Sequence, residues 1–551
     1  MNRNLKSKLS ILLLFVLILS TSLNGYAVDN KISTTADEQQ VSVAQPLVAS
    51  QIDPRFPEEE PTSRLYAQSR RVFKGYEGQG KIIVENHGAQ SADLYVNGKL
   101  VSAKDVFKHK DGRVTIDISK YTVTGHNALK VLRVKPGDAY INVFIPYPKL
   151  IVGKPEDVGF SAKKLGEIDD LINKEVKEGF PGAVLLVMKD GKIIKNTAYG
   201  YKLKYDGDKL LDNFESMNTE TLFDLASNTK MYATNLAIQK LVSEGRININ
   251  DLVCKYIPGF TGETRENIRI RDLLTHSAGF ASSIKFYMPD NPYGEEFHSL
   301  DREKTLKLLE KAPLEYPTGT KTIYSDTDYM LLGYIIENVT GIKLDEYVES
   351  NIYKPLGLTH TVFNPLEKGI EKEDCAATET MGNTRGGSRD YPSIRRYTLQ
   401  GEVHDEKSYY SMGGISGHAG LFSTTSDMAI LCQTILNQGG YGNVQIFDKD
   451  VLDQFTKPSD NNITFGLGWN RAGNRDKIWQ FGPYASNIAI GHTGWTGTLT
   501  QIDPKHDMAI ILLTNKKHSV CNDGRFEGDV YETGRYGSIV SLVYEALLES
   551  K

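Results

Sequence analysis

Ser227 and Lys230 stand three residues apart at the head of the stretch LASNTKMYATNLAIQKLVSEGR, residues 225–246. Met231, Thr234, Ile238, Leu241 and Val242 form a stripe at helical spacing, and Gly245 is a plausible stop. If the helix begins near Ser227, the i, i+3 relation sets Lys230 beside it on one face. The Ser227 N–H then becomes an orphan donor at the positive helix end. Such a pair supplies a nucleophile, a nearby amine base and half an oxyanion hole. The plain alternative is a polar helix start followed by an exposed lysine, because S-x-x-K alone recurs by chance.

Two further stretches favour the chemical reading. In EYPTGTKTIYSDTDYMLLGYIIENVTG, residues 315–341, a Pro317/Gly319 turn leads to Tyr324-Ser325-Asp326 and then a helix. In IGHTGWTGTLTQID, residues 490–503, His492-Thr493-Gly494 opens a strand rich in small residues. With Ser227 and Lys230, these resemble the three motifs of serine penicillin-recognising enzymes: S-x-x-K, then Y-x-N or S-x-N, then K-T-G or H-x-G. Order and separations are similar to the class C β-lactamase and D,D-peptidase family, as are RIRDLLTHSAGF (269–280) and HAGLFSTTSDMA (418–429). The resemblance covers roughly residues 155–550. GEVHDEKSYYSMGGISGHAGLFS (401–423) and the ATE at 377–379 resemble a narrower group, D-alanyl-D-alanine carboxypeptidase-like proteins of the penicillin-binding protein 4B type.

The resemblance implies roles. Ser227 attacks a carbonyl and becomes acylated, and Lys230 and Tyr324 share the proton work, with the lysine drawn toward working pH by its polar neighbours. The N–H groups of Ser227 and Trp495 form the oxyanion hole. Asp326, His492, Thr493 and Gly494 meet the substrate. No cofactor is implied.

Two positions depart from the penicillinase pattern. His492 stands where a lysine is common, and Asp326 where asparagine is usual. A neutral imidazole and an added carboxylate lower the local charge by about two units. That opposes the grip on a substrate carboxylate unless Asp326 is paired with Lys230. The departures favour an ester, an amide without a free carboxylate, or a substrate bearing an ammonium, as in a D-aminopeptidase. Arg385, in the Gly-rich GNTRGGSRD, is a candidate to restore carboxylate binding; its plainer reading is an exposed loop arginine. His404 and His418 flank a Gly-rich segment and suit loop hydrogen bonding better than a metal, which would need more ligands at close spacing. His276, in LLTHSAG, reads as a structural histidine holding a turn.

These residues need a frame. GAVLLVMKDGKIIKNTAYGY (182–201) reads as a hairpin about Asp190-Gly191, and TLTQIDPKHDMAIILLTN (498–515) as another around Pro504. GSIVSLVYEALLES (537–550) is a terminal amphipathic helix. Strands at both ends with helices between predict an α+β fold: an antiparallel sheet flanked by helices, with a helical subdomain, over residues 151–551. Residues 63–150 carry short β-rich runs with a strong Asn97-Gly98 turn signal, which predicts a small β-sandwich. This segment resembles the jelly-roll accessory domains of carbohydrate enzymes, making cell-wall carbohydrate a candidate ligand; the plainer reading is a packing or spacer domain. Residues 28–62 are polar and acidic and read as a disordered linker.

Residues 1–27 read as a signal peptide. Arg3, Lys6 and Lys8 precede the apolar run LSILLLFVLILS, which is too short to span a membrane, and Gly25-Tyr26-Ala27 offers a cleavage site. The expected location is therefore secreted or cell envelope, with no membrane span unless the signal stays uncleaved. Removing the leader's three positive charges takes the formal charge from −5 to −8, which argues against a nucleic-acid partner. The four cysteines are widely spaced and without a C-x-x-C pair, hence free or joined by at most one bridge. Together the sequence predicts an exported serine hydrolase working through an acyl-enzyme on peptidoglycan-derived peptides, D-alanyl-D-alanine carboxypeptidase-like. An esterase or D-aminopeptidase is the alternative on the same site, and a non-catalytic cell-wall binding or sensor protein the alternative of another class.

Overall fold

The computed structural model describes residues 47–48, 67–108, 111–459, 465–473 and 475–548. The leader and its expected cleavage site lie outside the described residues. So does most of the acidic segment; within it Leu47–Val48 forms a short strand paired with Asn142 and Val143.

The sheet that carries the site begins with Gly182–Lys189 and Lys192–Asp206. Between them Asp190 and Gly191 have φ of 50° and 72°, the left-handed pair that a two-residue hairpin turn requires. The run GAVLLVM is buried throughout because both faces of the strand are covered. Leu185 and Val187 pack with Leu165, Ile168 and Ile172 of the Ala162–Glu178 helix, and with Ile539 and Val543 of the Tyr536–Leu548 helix. Val184, Leu186 and Met188 face the other way, toward Leu236, Ile238 and Leu241 of the Leu236–Ser243 helix. Each such aliphatic side chain contributes about 1.5–3 kcal/mol by leaving water, so alternate residues of one strand glue two layers to it.

Across the sheet the order runs Lys209–Ser216, Lys192–Asp206, Gly182–Lys189, Met508–Thr514, Thr498–Asp503, Ile490–Thr493 and Asn470–Arg471. The two sequence-predicted hairpins are thus joined edge to edge, with Val184 opposite Leu513. The strand bearing His492 and Thr493 lies near the far edge, flanked by Asn470–Arg471 along only part of its length. The helical subdomain sits on the inner face and includes Ile270–Leu274, Arg302–Leu309 and Asp326–Thr340.

Residues 67–144, with Leu47–Val48 as an edge strand of one sheet, form two four-stranded antiparallel sheets around a core of Ile82, Val84, Leu94, Val96, Leu129, Val131, Ile141 and Val143. Asn97 and Gly98 make the expected turn, with φ of 50° and 78°. This sandwich is anchored to the larger domain by Lys74 Nζ on Asp507 at 2.6 Å and by Gln433 Nε2 donating to Tyr76 Oη at 2.9 Å. A Cβ on Gly191 would stand 2.4 Å from the Tyr76 ring, so glycine there serves both the turn and the docking. All four cysteines are free. Among the described residues no helix is long and apolar enough to cross a membrane.

Candidate active site

Ser227 sits in a tight turn, not at the start of a regular α-helix. Ala226–Asn228 is a 3-10 turn, Lys230–Asn235 a π-helical turn, and the α-helix proper runs Leu236–Ser243. The expected stripe is buried from Met231 to Leu241, and Gly245 closes the segment with φ 67°. Ala226 has φ 45°, a left-handed conformation that costs a non-glycine residue of order 1–3 kcal/mol and marks functional turns. Its N–H donates to Asp224 Oδ1 at 2.8 Å, while Asp224 Oδ2 accepts the His404 N–H at 2.6 Å.

The i, i+3 relation holds. Lys230 Nζ donates to Ser227 Oγ at 3.1 Å, Asp326 Oδ1 at 2.8 Å and the His418 carbonyl at 3.1 Å. Three acceptors meet the three protons of an ammonium. Lys230 is fully buried. Burial alone would lower its pKa, but Asp326 and Tyr324 overcome that, and the net direction is upward. This corrects the expected amine base: Lys230 rests as an ammonium with no lone pair for the Ser227 proton. Its charge also lies 4.8 Å from the centroid of the Tyr324 ring. Burial raises the Tyr324 phenol, Lys230 opposes that by charge, and Asp326 adds to it; hydrogen bonds from Lys230 and Ser227 offset only part, and the net direction is upward. Tyr324 thus rests as a phenol, and it can take a proton from Ser227 only after losing its own, with Lys230 stabilising the phenolate form.

Asp326 is paired with Lys230, the condition on which its acidic character becomes tolerable. It has a second partner that the sequence did not single out. Lys407 Nζ lies 3.2 Å from Asp326 Oδ2 and 3.1 Å from Asp405 Oδ2, and Asp405 Oδ1 meets His418 Nε2 at 2.8 Å. Burial pushes the Asp326 carboxyl up, yet Lys230 and Lys407 hold it below the usual carboxylate range. For Lys407, burial lowers the pKa but Asp405 and Asp326 raise it further. Signs alternate along Lys230, Asp326, Lys407 and Asp405, so the site is close to neutral and each buried charge has a counter-charge. Asp326, Asp405 and His418 bring their ligand atoms within 4.8 Å of one another. The two ammonium groups already on these carboxylates would repel a metal cation. The HDEK run at 404–407, beside the Gly-rich segment, is the signal that could have pointed to Asp405 and Lys407.

The third motif closes the other wall. A Cβ on Gly494 would lie 2.3 Å from the Leu225 carbonyl, so only glycine lets this strand end approach the Ser227 turn. Tyr536 Oη donates to the Gly494 carbonyl at 2.7 Å, and Thr496 Oγ1 to the Asp224 carbonyl at 2.7 Å. These bonds clamp the backbone around Trp495 against the segment that leads into Ser227, as a two-amide oxyanion hole needs. His492 is buried, with Nδ1 2.8 Å from the Thr493 carbonyl and its ring 6.0 Å from that of Tyr324. Burial first, then the Lys230 charge, lowers its pKa to about 3, so it is the neutral imidazole expected. His276 lies behind Tyr324, with ring centroids 4.7 Å apart and Nδ1 2.9 Å from Asp328 Oδ2. It supports the tyrosine as well as its own turn.

Arg385 corrects both sequence readings. It is neither exposed nor free for a substrate carboxylate: buried, it pairs with Glu379 and, through Nη2, with Glu406 at 2.9 Å. Its guanidinium carbon stands 4.3 Å from the Trp495 ring centroid, and the His404 ring stacks on the same indole at 4.4 Å. Arg385 and His404 thus position Trp495. Lys517, also near the indole, is bound to Asp529 at 2.6 Å.

Comparison with known proteins agrees with this geometry. Residues 168–530 match the Beta-lactamase family. A Bacillus subtilis (strain 168) protein named N-acetylmuramyl-L-alanine amidase is 52% identical over 411 residues, 73% of this chain and 92% of its own length. An Escherichia coli (strain K12) protein named "Putative D-alanyl-D-alanine carboxypeptidase" is 49% identical over 412 residues, 73% of this chain and 94% of its own. A penicillin-binding protein homologue of Caulobacter crescentus shares the fold, with a TM-score of 0.51 at 18% identity, covering 70% of this chain and 99% of that one. The chain belongs to the serine β-lactamase family and is a serine hydrolase.

Proposed function

We propose that the protein is an exported hydrolase of amide bonds in cell-wall muropeptides, acting through an acyl-enzyme on Ser227. In the proposed cycle Tyr324 first gives its phenol proton to solvent; Ser227 Oγ then forms a bond to the scissile carbonyl carbon and passes its proton to the Tyr324 phenolate. The oxyanion is met by the N–H groups of Ser227 and Trp495. Collapse breaks the C–N bond, and Tyr324 returns the proton to the leaving amine. Water then repeats the sequence on the acyl-enzyme and releases the acid. Lys230 stays an ammonium throughout and lowers the cost of the phenolate.

The observation that carries the choice of substrate is the pairing of charge around Ser227. Lys230, Lys407, Arg385 and Lys517 each hold a carboxylate of the protein, and His492 is neutral. A terminal carboxylate beside the scissile bond, as in D-alanyl-D-alanine, finds none of these four cations unpaired. The amide joining N-acetylmuramic acid to the L-alanine of a peptide has an amide, not a carboxylate, as its next group, and the 52%-identical relative is named for that bond. D-alanyl-D-alanine carboxypeptidase activity is the second reading, supported by the names of the relatives near 50% identity. Incubation with N-acetylmuramyl pentapeptide separates them by mass spectrometry of the products. Free N-acetylmuramic acid is the expected product, absent with Ser227→Ala; release of D-alanine alone supports the second reading, and no cleavage at all contradicts both.

A further inference from the structure

His276 grips the chain on both sides of Tyr324. Its carbonyl accepts the Ile323 N–H at 2.9 Å, and its Nδ1 accepts the Ser325 N–H at 3.2 Å. Residues 321–325 belong to no helix or strand, so this grip, with the ring contact at 4.7 Å, sets where Tyr324 stands. His276 itself has φ 55°, a strained conformation that persists only where the surroundings over-determine it.

Asp328 fixes the imidazole in turn. Its Oδ2 lies 2.9 Å from the same Nδ1. A nitrogen that accepts the Ser325 N–H presents a lone pair there, and a carboxylate oxygen would set a second lone pair against it. A protonated carboxyl instead donates to Nδ1, which places the ring proton on Nε2 by the bonding pattern. The surroundings agree. Asp328 is 1% exposed, and among the described residues no lysine or arginine pairs with it. Facing it are Asp272 of the Ile270–Leu274 helix, Asp326 of its own helix, the Tyr316 and Tyr329 phenols, and Lys230, which is already bound to Asp326. Asp328 Oδ1 and His276 Nε2 have no hydrogen-bond partner among the described residues, a cost far lower for neutral groups than for charged ones. Burial raises the Asp328 carboxyl well above its ordinary range, with Asp272 and Asp326 adding to the rise. Burial, then the Lys230 charge, lowers the His276 imidazole well below its own.

We propose that Asp328, as an uncharged carboxylic acid, and His276 form a positioning pair for Tyr324. The acid's proton locks the imidazole, the imidazole and its carbonyl lock the backbone on either side of the tyrosine, and Asp328 adds no negative charge beside the phenolate that must form. This rests on the role of Tyr324 proposed above and deepens it.

The rate at which a fluorophosphonate labels Ser227, followed against pH in the full-length enzyme, tests this without reference to the natural substrate. Asp328→Leu removes the donor to Nδ1 and is expected to slow labelling by about a hundredfold, the scale of a misplaced catalytic group. Asp328→Asn, whose amide donates as the acid does, is expected to recover at least about tenfold of that loss. It is also expected to keep the wild-type pH midpoint, because it exchanges one neutral group for another. An ionised Asp328 opposes the phenolate, so its replacement by Asn would move the midpoint downward; that shift overturns the inference, as does labelling of Asp328→Leu at the wild-type rate. Infrared difference spectra of wild type against Asp328→Asn at neutral pH decide the charge even if Asp328→Leu does not fold: a carboxylic-acid carbonyl band is expected, and a carboxylate band in its place overturns the inference. Slow labelling of Tyr324→Phe with any of these contrary results leaves the role of Tyr324 standing, whereas undiminished labelling of Tyr324→Phe removes that role and the inference with it.

Discussion

At the scale of single residues, the site is a chain of alternating charges more than a lone nucleophile and base. Lys407 is the link on which this depends, because it is shared by Asp326 and Asp405 and both carboxylates reach the cleft wall. Lys407→Met leaves two carboxylates facing each other and is expected to cost about 3–5 kcal/mol of stability in urea unfolding and to slow Ser227 acylation. Removing Asp405 as well, in Lys407→Met/Asp405→Asn, is expected to recover much of that loss, since partners in one network do not add. A single-variant loss below about 1 kcal/mol, the scale of an exposed pair, contradicts this. The three motifs were legible because their residues are close in sequence and their order is informative. Lys407 was not, because its value comes from Asp326, which stands in another motif far along the chain. Arg385 was misread for the same reason: a Gly-rich loop looks exposed until Glu379 and Glu406 are seen to fold over it.

At the scale of elements, the hairpins, the terminal helix and the helical stripe after Ser227 were readable from alternation, turn residues and 3.6-residue spacing. The 3-10 and π turns within Ala226–Asn235 were not, since a stripe of five positions fits several helix types and tertiary contacts choose among them. These contacts include Thr234 Oγ1 on the Gly417 carbonyl at 2.7 Å and Asn235 Nδ2 on the Leu467 carbonyl at 2.7 Å. A similar long-range tie gives a pH signature. His518 is buried, and its Nε2 accepts the Lys204 N–H at 2.8 Å, joining the Lys192–Asp206 strand to the loop after Asn515. Burial lowers its pKa to about 3. The unfolded chain binds a proton near pH 6.5 that the folded chain does not, so this contribution to stability is complete above 6.5 and is lost as pH falls toward about 3. In His518→Gln the slope of unfolding free energy between about pH 6 and 4.5 is expected to be shallower by up to one proton, about 1.4 kcal/mol per pH unit. Parallel slopes for the two proteins contradict the assignment.

At the scale of the whole molecule, a sheet with helices on both faces delivers three distant segments to one cleft, and a β-sandwich is fastened behind it at Lys74 and Tyr76. That architecture was legible because strands cluster at the two ends of residues 151–551 and helices lie between. The docking of the sandwich was not, because Asp507 and Gln433 give no sign in sequence of facing residues 74 and 76. On the proposed function, this assembly acylates and deacylates Ser227. Intact-protein mass spectrometry of enzyme quenched in acid during turnover of an activated thioester of benzoylglycine tests this. A benzoylglycyl adduct that maps to Ser227, absent in Ser227→Ala together with turnover, is the predicted result; undiminished turnover by Ser227→Ala, or an adduct on another residue, would contradict it.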